Sequence, residues 1–76
     1  MENKTLQRVI FELSGQKNNR EFAKYIRRSE SYTSNMINSD KNISVELGID
    51  MMQRMYLDNE LIKEVILNYI DEAFFI

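Results

Sequence analysis

Residues 21–44 read Glu21-Phe-Ala-Lys-Tyr-Ile-Arg-Arg-Ser-Glu-Ser-Tyr-Thr-Ser-Asn-Met-Ile-Asn-Ser-Asp-Lys-Asn-Ile-Ser44, and the fold turns on how this stretch divides. Phe22, Ala23 and Ile26 are spaced as the inner face of a short helix. Arg27-Arg28 ends that helix. Ser29 is a good N-cap, because its hydroxyl can accept an amide of the following turn. Glu30, just inside, suits the positive end of the helix dipole. A further short helix is therefore expected from about Glu30 to Asn38, with Tyr32, Met36 and Ile37 as its apolar residues. Asn38-Ser39-Asp40-Lys41-Asn42 is a turn-forming cluster. Two short helices joined by a tight turn make a helix-turn-helix.

The flanks supply three more helices. Toward the N-terminus, Asn18 followed by Glu21 resembles a capping box with Asn in place of Ser or Thr. Gln16 to Asn18 is a polar connection, and Ser14-Gly15 is a C-terminal stop, Gly15 being free to turn left-handed. Leu6, Val9, Ile10 and Leu13 follow i, i+3, i+4, i+7, the apolar stripe of a first helix. Toward the C-terminus, Ser44 caps a fourth helix expected to reach about Tyr56, with Val45, Ile49, Met52, Met55 and Tyr56 inward. Gly48 inside it costs about 1 kcal/mol relative to Ala, which points to close packing against a neighbouring backbone. Met51, Met52 and Met55 read as core filling. Asp58-Asn59-Glu60 opens a fifth helix that is acidic at its start. Leu61, Ile62, Val65, Ile66, Tyr69, Ile70, Ala73 and Phe74 give it an apolar surface wider than one core-facing stripe requires. The expectation is an all-α, five-helix domain over residues 1–76, with residues 58–76 a C-terminal helix for packing or dimerisation.

Composition narrows the function. The 76 residues include no Cys, His, Trp or Pro. A disulfide framework is excluded, a zinc site is improbable, and catalysis by His or Cys is excluded outright. There is no phosphate-binding glycine loop and too little chain for a large pocket, so neither an enzyme nor a cofactor is expected. No apolar run is long enough for a membrane span and no signal peptide is visible, so a cytoplasmic protein with no membrane contact is expected. Charge is unevenly spread. Residues 1–41 hold eight bases against five acids, and residues 42–76 hold two against seven, within a net charge of −2. Such asymmetry marks a polyanion-binding half beside a half with another role, or two solvated helical surfaces.

The stretch from Glu21 to Ser44 resembles the phage repressor/Cro-like (XRE-type) helix-turn-helix family, and the likeness extends over roughly residues 5 to 56. Ala23 falls where a small residue lets the two helices cross, Ser29 at the recognition-helix N-cap, and Met36 at that helix's buried position. Asn42 and Ser44 fall in the loop and cap leading to the fourth helix. Asn18-Asn19 falls where the family has a cap and a phosphate-contacting residue. The family's turn carries Gly and an apolar residue, where this chain has Arg27 and Arg28; the latter must snorkel outward. Thr33 stands where the family has Leu or Ile, and Ile37 where it has Glu.

The resemblance implies a compact repressor-like domain of the kind phages and mobile elements encode, with its third helix in the major groove of double-stranded DNA. Carried over by position, the base-facing residues are Glu30, Ser31, Tyr32 and Asn35. Asn suits the adenine edge and Glu can accept from cytosine. Asn19, Asn38 and Lys41 would position the DNA backbone, with Arg20, Lys24, Arg27 and Arg28 adding attraction. Plain alternatives stand beside these roles. Glu30 can serve only the helix dipole, Tyr32 can pack on helix two, and Arg27-Arg28 can be a solvated helix end. An apolar C-terminus containing Tyr69, Ile70, Phe74, Phe75 and Ile76 points to an interface, and a two-fold homodimer is the commonest form. The competing function is a protein-binding regulator, an antirepressor or inhibitor on the same scaffold, for which the acidic C-terminal half and the unusual turn speak.

Overall fold

The structure, a computed structural model, describes residues 4–74, with side chains through residue 70. Five α-helices, and no strand among the described residues, follow in order: α1 (Leu6–Ser14), α2 (Asn19–Ile26), α3 (Glu30–Asn38), α4 (Val45–Arg54) and α5 (Asn59–Phe74). Four of them start on the same local device. Thr5, Asn18, Ser29 and Ser44 each accept the amide three residues on, from Arg8, Glu21, Tyr32 and Leu47, at 3.3, 2.9, 3.1 and 3.1 Å. Each bond satisfies an amide that the first turn leaves without a helical partner. At α2 only half of the expected capping box forms: the Glu21 carboxylate lies 3.9 Å from Lys24 Nζ, one turn further along the helix.

The helix ends are less orthodox. Gly15 closes α1 with φ 71°. Arg27 closes α2 with φ 60° and ψ 46°, and Tyr56 follows α4 with φ 58°. In both, the left-handed residue returns its amide to the carbonyl three back (Arg27 to Lys24, Tyr56 to Gln53). The next residue returns its own five back, Arg28 to Ala23 and Leu57 to Met52. This is the Schellman pattern, built twice without the usual glycine. It corrects the expected fourth helix, which ends at Arg54, and it reverses Tyr56, which is 82% exposed rather than inward. Once the chain turns left-handed, a side chain at that position leaves the helix face that carries Met52 and Met55.

The core draws on every helix: Leu6 and Ile10 from α1, Phe22 and Ile26 from α2, Met36 and Ile37 from α3, Met51 and Met52 from α4, and Ile62, Val65 and Ile66 from α5. The three methionines read as core filling are all buried. The most extensive helix pairing is α2 on α3, with α1 on α4 and α3, and α5 on α4. Gly48 explains itself through α1, since a Cβ there would lie 2.8 Å from Leu6 Cδ2 and 3.4 Å from Ile10 Cδ1. Leu13 departs from its expected stripe; at 42% exposed it lies at the edge of the α1–α5 contact. On α3, Tyr32 is exposed, whereas Thr33 takes the buried place between Met36 and the α2 contact.

One buried polar side chain ties the fold together. Gln7 is fully buried, and its amide donates to the carbonyls of Met36 (3.0 Å) and Lys41 (2.8 Å) while accepting from the amide of Ile43 (3.2 Å). Asn42 answers from the same turn by accepting the amide of Leu6 at 2.7 Å. The first turn of α1 and the α3–α4 connection therefore hold one another in place.

Candidate nucleic-acid interface

The helical period splits α3 into two faces. Thr33, Met36 and Ile37 face inward and are buried. Ser31, Asn35 and Asn38, at i, i+4 and i+7, form an exposed outer stripe, with Tyr32 beside it and Glu30 exposed at the helix start. All four residues expected to face bases are thus accessible on the outer helix of the helix-turn-helix-like pair. Tyr32, Asn35 and Lys41 are also brought to one groove of about 390 Å³. Met36, Ile43 and Leu47 give it an apolar wall, and Gln7, Ser39 and Asn42 complete the lining. Neither Leu47 nor Ile43 was singled out from the sequence; only the path of the α3–α4 turn brings them beside α3.

The basic residues sort into two groups. Arg20 and Lys24 lie one turn apart on α2, Arg27 is its left-handed cap, and all three are exposed. Lys41 is exposed in the turn, where its backbone is held by Gln7 and by the Ser39 hydroxyl, 3.1 Å from its amide. Arg27 and Arg28 have partners within the molecule. The Arg27 guanidinium lies 5.9 Å from the Tyr56 ring centre and donates to its hydroxyl at 3.0 Å. Arg28 lies 5.5 Å from the Tyr32 ring centre and 3.4 Å from the Asp50 carboxylate. Asp50 also holds Arg54 at 3.0 Å, and Arg54 in turn donates to the carbonyl of Ile26 at 3.4 Å. The Tyr25 hydroxyl reaches the carbonyl of Met55 at 3.4 Å. Arg27 and Arg28 thus tie the α2–α3 turn to Tyr56 and to α4, and Arg28 braces the Tyr32 ring.

No protein family, no curated protein and no solved structure matches the chain.

The other expected positions fall as follows. Asn19 is half-buried at the first position of α2, where Asn18 supplies the cap. Asn38 lines an open hollow with Lys4, Thr5, Arg8, Ser39 and Asp40, in which an acid interrupts the basic surface. Tyr69 and Ile70 are half-buried and pack against the core. The Phe74 side chain and residues Phe75 and Ile76 lie outside the described residues. Among the described residues of α5, Leu67 is an exposed apolar residue, at 54%, and belongs to none of the stripes expected for that helix. A groove of about 350 Å³ between α1 and α5 is lined by Lys4, Leu6, Val9, Leu13, Leu61 and Tyr69, among others. Gln7 was missed as well; its one sequence signal is a polar residue directly beside Leu6 at the head of an apolar stripe.

Proposed function

We propose that this chain is a small sequence-specific DNA-binding transcriptional regulator of repressor/Cro-like type that places α3 in the major groove. One observation carries the reading: the outer face of α3 is a polar, solvent-facing stripe on a rigidly braced helix. A recognition helix presents such a face to base edges. Glu30, Ser31, Tyr32 and Asn35 read bases, Asn19, Asn38 and Lys41 meet phosphates, and Arg20, Lys24, Arg27 and Arg28 supply long-range attraction. A two-fold dimer through α5, including Tyr69 and Ile70, would set two such helices on half-sites one turn of DNA apart.

The test is selection of bound fragments from a genomic library at ~50 mM and ~200 mM salt, a range over which phosphate-only binding fades steeply. A recurring site that survives the higher salt is the expected result. Absence of enrichment at both salts removes DNA as the partner.

A second reading rests on a different observation. Arg27, Arg28, Tyr25, Tyr32 and Tyr56 crowd around one turn, and Arg and Tyr are the residues on which protein interfaces concentrate binding energy. With a net charge of −2, the chain as a whole does not attract DNA. On this reading the protein is an antirepressor or inhibitor, and it would show no DNA preference while retaining its fold.

A further inference from the structure

The polar side chains around α3 differ in what they do. The Gln7 amide clamps the α3–α4 turn, Asn18 caps α2, and Asn42 holds the start of α1. Asn35 is exposed, occupies a mid-helix position for which Asn is a poor former, and makes no hydrogen bond among the described residues. It is also set at the edge of an apolar wall, with Tyr32 and Met36 on α3 and Ile43 and Leu47 across the groove.

A free amide beside an apolar wall matches one base pair better than the others. Adenine offers a donor (N6) next to an acceptor (N7), which an Asn amide meets with both of its groups. Guanine offers two acceptors, and its usual partner is a cation. Arg28, beside Tyr32, is taken up by Asp50 and by the Tyr32 ring, and Lys41, the cation that lines the groove, is the residue assigned above to phosphate. The thymine opposite that adenine carries a 5-methyl into the same groove. The Tyr32 ring is held by the Arg28 guanidinium stacked on it, so the wall is in place before a ligand arrives.

We infer that α3 reads an A·T base pair: Asn35 takes the adenine edge, and the wall formed by Tyr32 and Leu47 receives the thymine methyl. This rests on the reading of α3 as a major-groove helix and adds the identity of the base pair.

The experiment starts from duplexes enriched from a randomised library with the full chain. Each thymine of the enriched site is then replaced singly by uracil, which keeps every hydrogen-bonding group and removes only the methyl. One replacement is expected to weaken binding roughly three- to fivefold, as loss of one buried methyl predicts. Asn35→Ala is expected to lose roughly tenfold or more in affinity and to drop the adenine preference at that position, with a melting temperature no lower than that of the parent chain. Tyr32→Ala is expected to erase the uracil penalty. An enriched site whose A·T pairs are indifferent to Asn35→Ala, or to uracil at every position, overturns the inference and leaves DNA binding standing. No enriched site at all overturns the DNA reading and this inference with it.

Discussion

The hydroxyl of Thr33 is fully buried and without a hydrogen-bond partner. A buried hydroxyl left unpaired is unfavourable, whereas a methyl of similar size in the same place is not. Thr33→Val should therefore raise stability by about 1 kcal/mol, seen as a higher urea midpoint with an unchanged slope; a lower midpoint would mean that the hydroxyl has a partner. Arg27 and Tyr56 pose a different question. Each holds a left-handed conformation that costs roughly 1 kcal/mol at a non-glycine residue, and each is stacked on the other. Arg27→Gly relieves one strain but loses a cation–ring contact worth about 0.5 to 1 kcal/mol, so its net effect on stability should be under about 1 kcal/mol. Arg27→Ala keeps the strain and loses the contact, and should be the less stable of the two by chemical denaturation. These residues were hard to read from sequence for a physical reason. A left-handed end at Gly15 announces itself in the residue type, whereas at Arg27 and Tyr56 it depends on a partner about thirty positions away across the fold.

At the scale of elements, helix starts were legible and helix relationships were not. Ser29, Asn18 and Ser44 cap within three residues, so the local sequence contains the whole interaction. Gln7 acts across separations of 29 to 36 residues, and nothing near it in the chain marks the target. Gln7→Ala would leave the part-buried Lys41 carbonyl and Ile43 amide without their partner, while the Met36 carbonyl keeps the Ser39 amide. Stability should fall by at least about 2 kcal/mol, and the Ile43 amide should lose its protection from hydrogen exchange. The Gly48 contact was half legible: a helix-interior glycine implied a close neighbour, and the structure supplies Leu6 and Ile10. Gly48→Val should lower stability by about 2 kcal/mol through overpacking against those two side chains, measured by thermal melting.

For the molecule as a whole, the question is how an acidic chain approaches a polyanion. The structure offers a partial segregation: Arg20, Lys24, Arg27 and Lys41 lie on the helix-turn-helix-like half with Glu21, Glu30 and Asp40 among them, and Asp58, Glu60 and Glu64 lie toward α5. Lys41→Ala should weaken binding to all DNA sequences alike and reduce the slope of log affinity against log salt by about one unit, read by fluorescence anisotropy across a salt series. A loss confined to one sequence would move Lys41 from the backbone to the bases. The outward candidates on α3 come from the resemblance position by position; the helical pattern groups Tyr32 with Met36 and Ile37, where the structure buries Thr33 instead. The apolar wall beside them could not be named from the sequence, because Leu47 joins it only through the path of the turn.

That turn has a consequence for how the protein is made. The α2–α3 pair is local and can form as soon as its own residues have been synthesised. The start of α1, made first, waits for Asn42 to hold its leading amide and for Lys41 and Ile43 to satisfy Gln7. Contacts of such long sequence separation form late, because the intervening chain must first be closed into a loop. A nascent chain stopped before residue 42 thus possesses both helices of the pair but lacks the closure that fixes Lys41 and the groove beside Asn35. Closure of that groove therefore arrives as a single late event in synthesis.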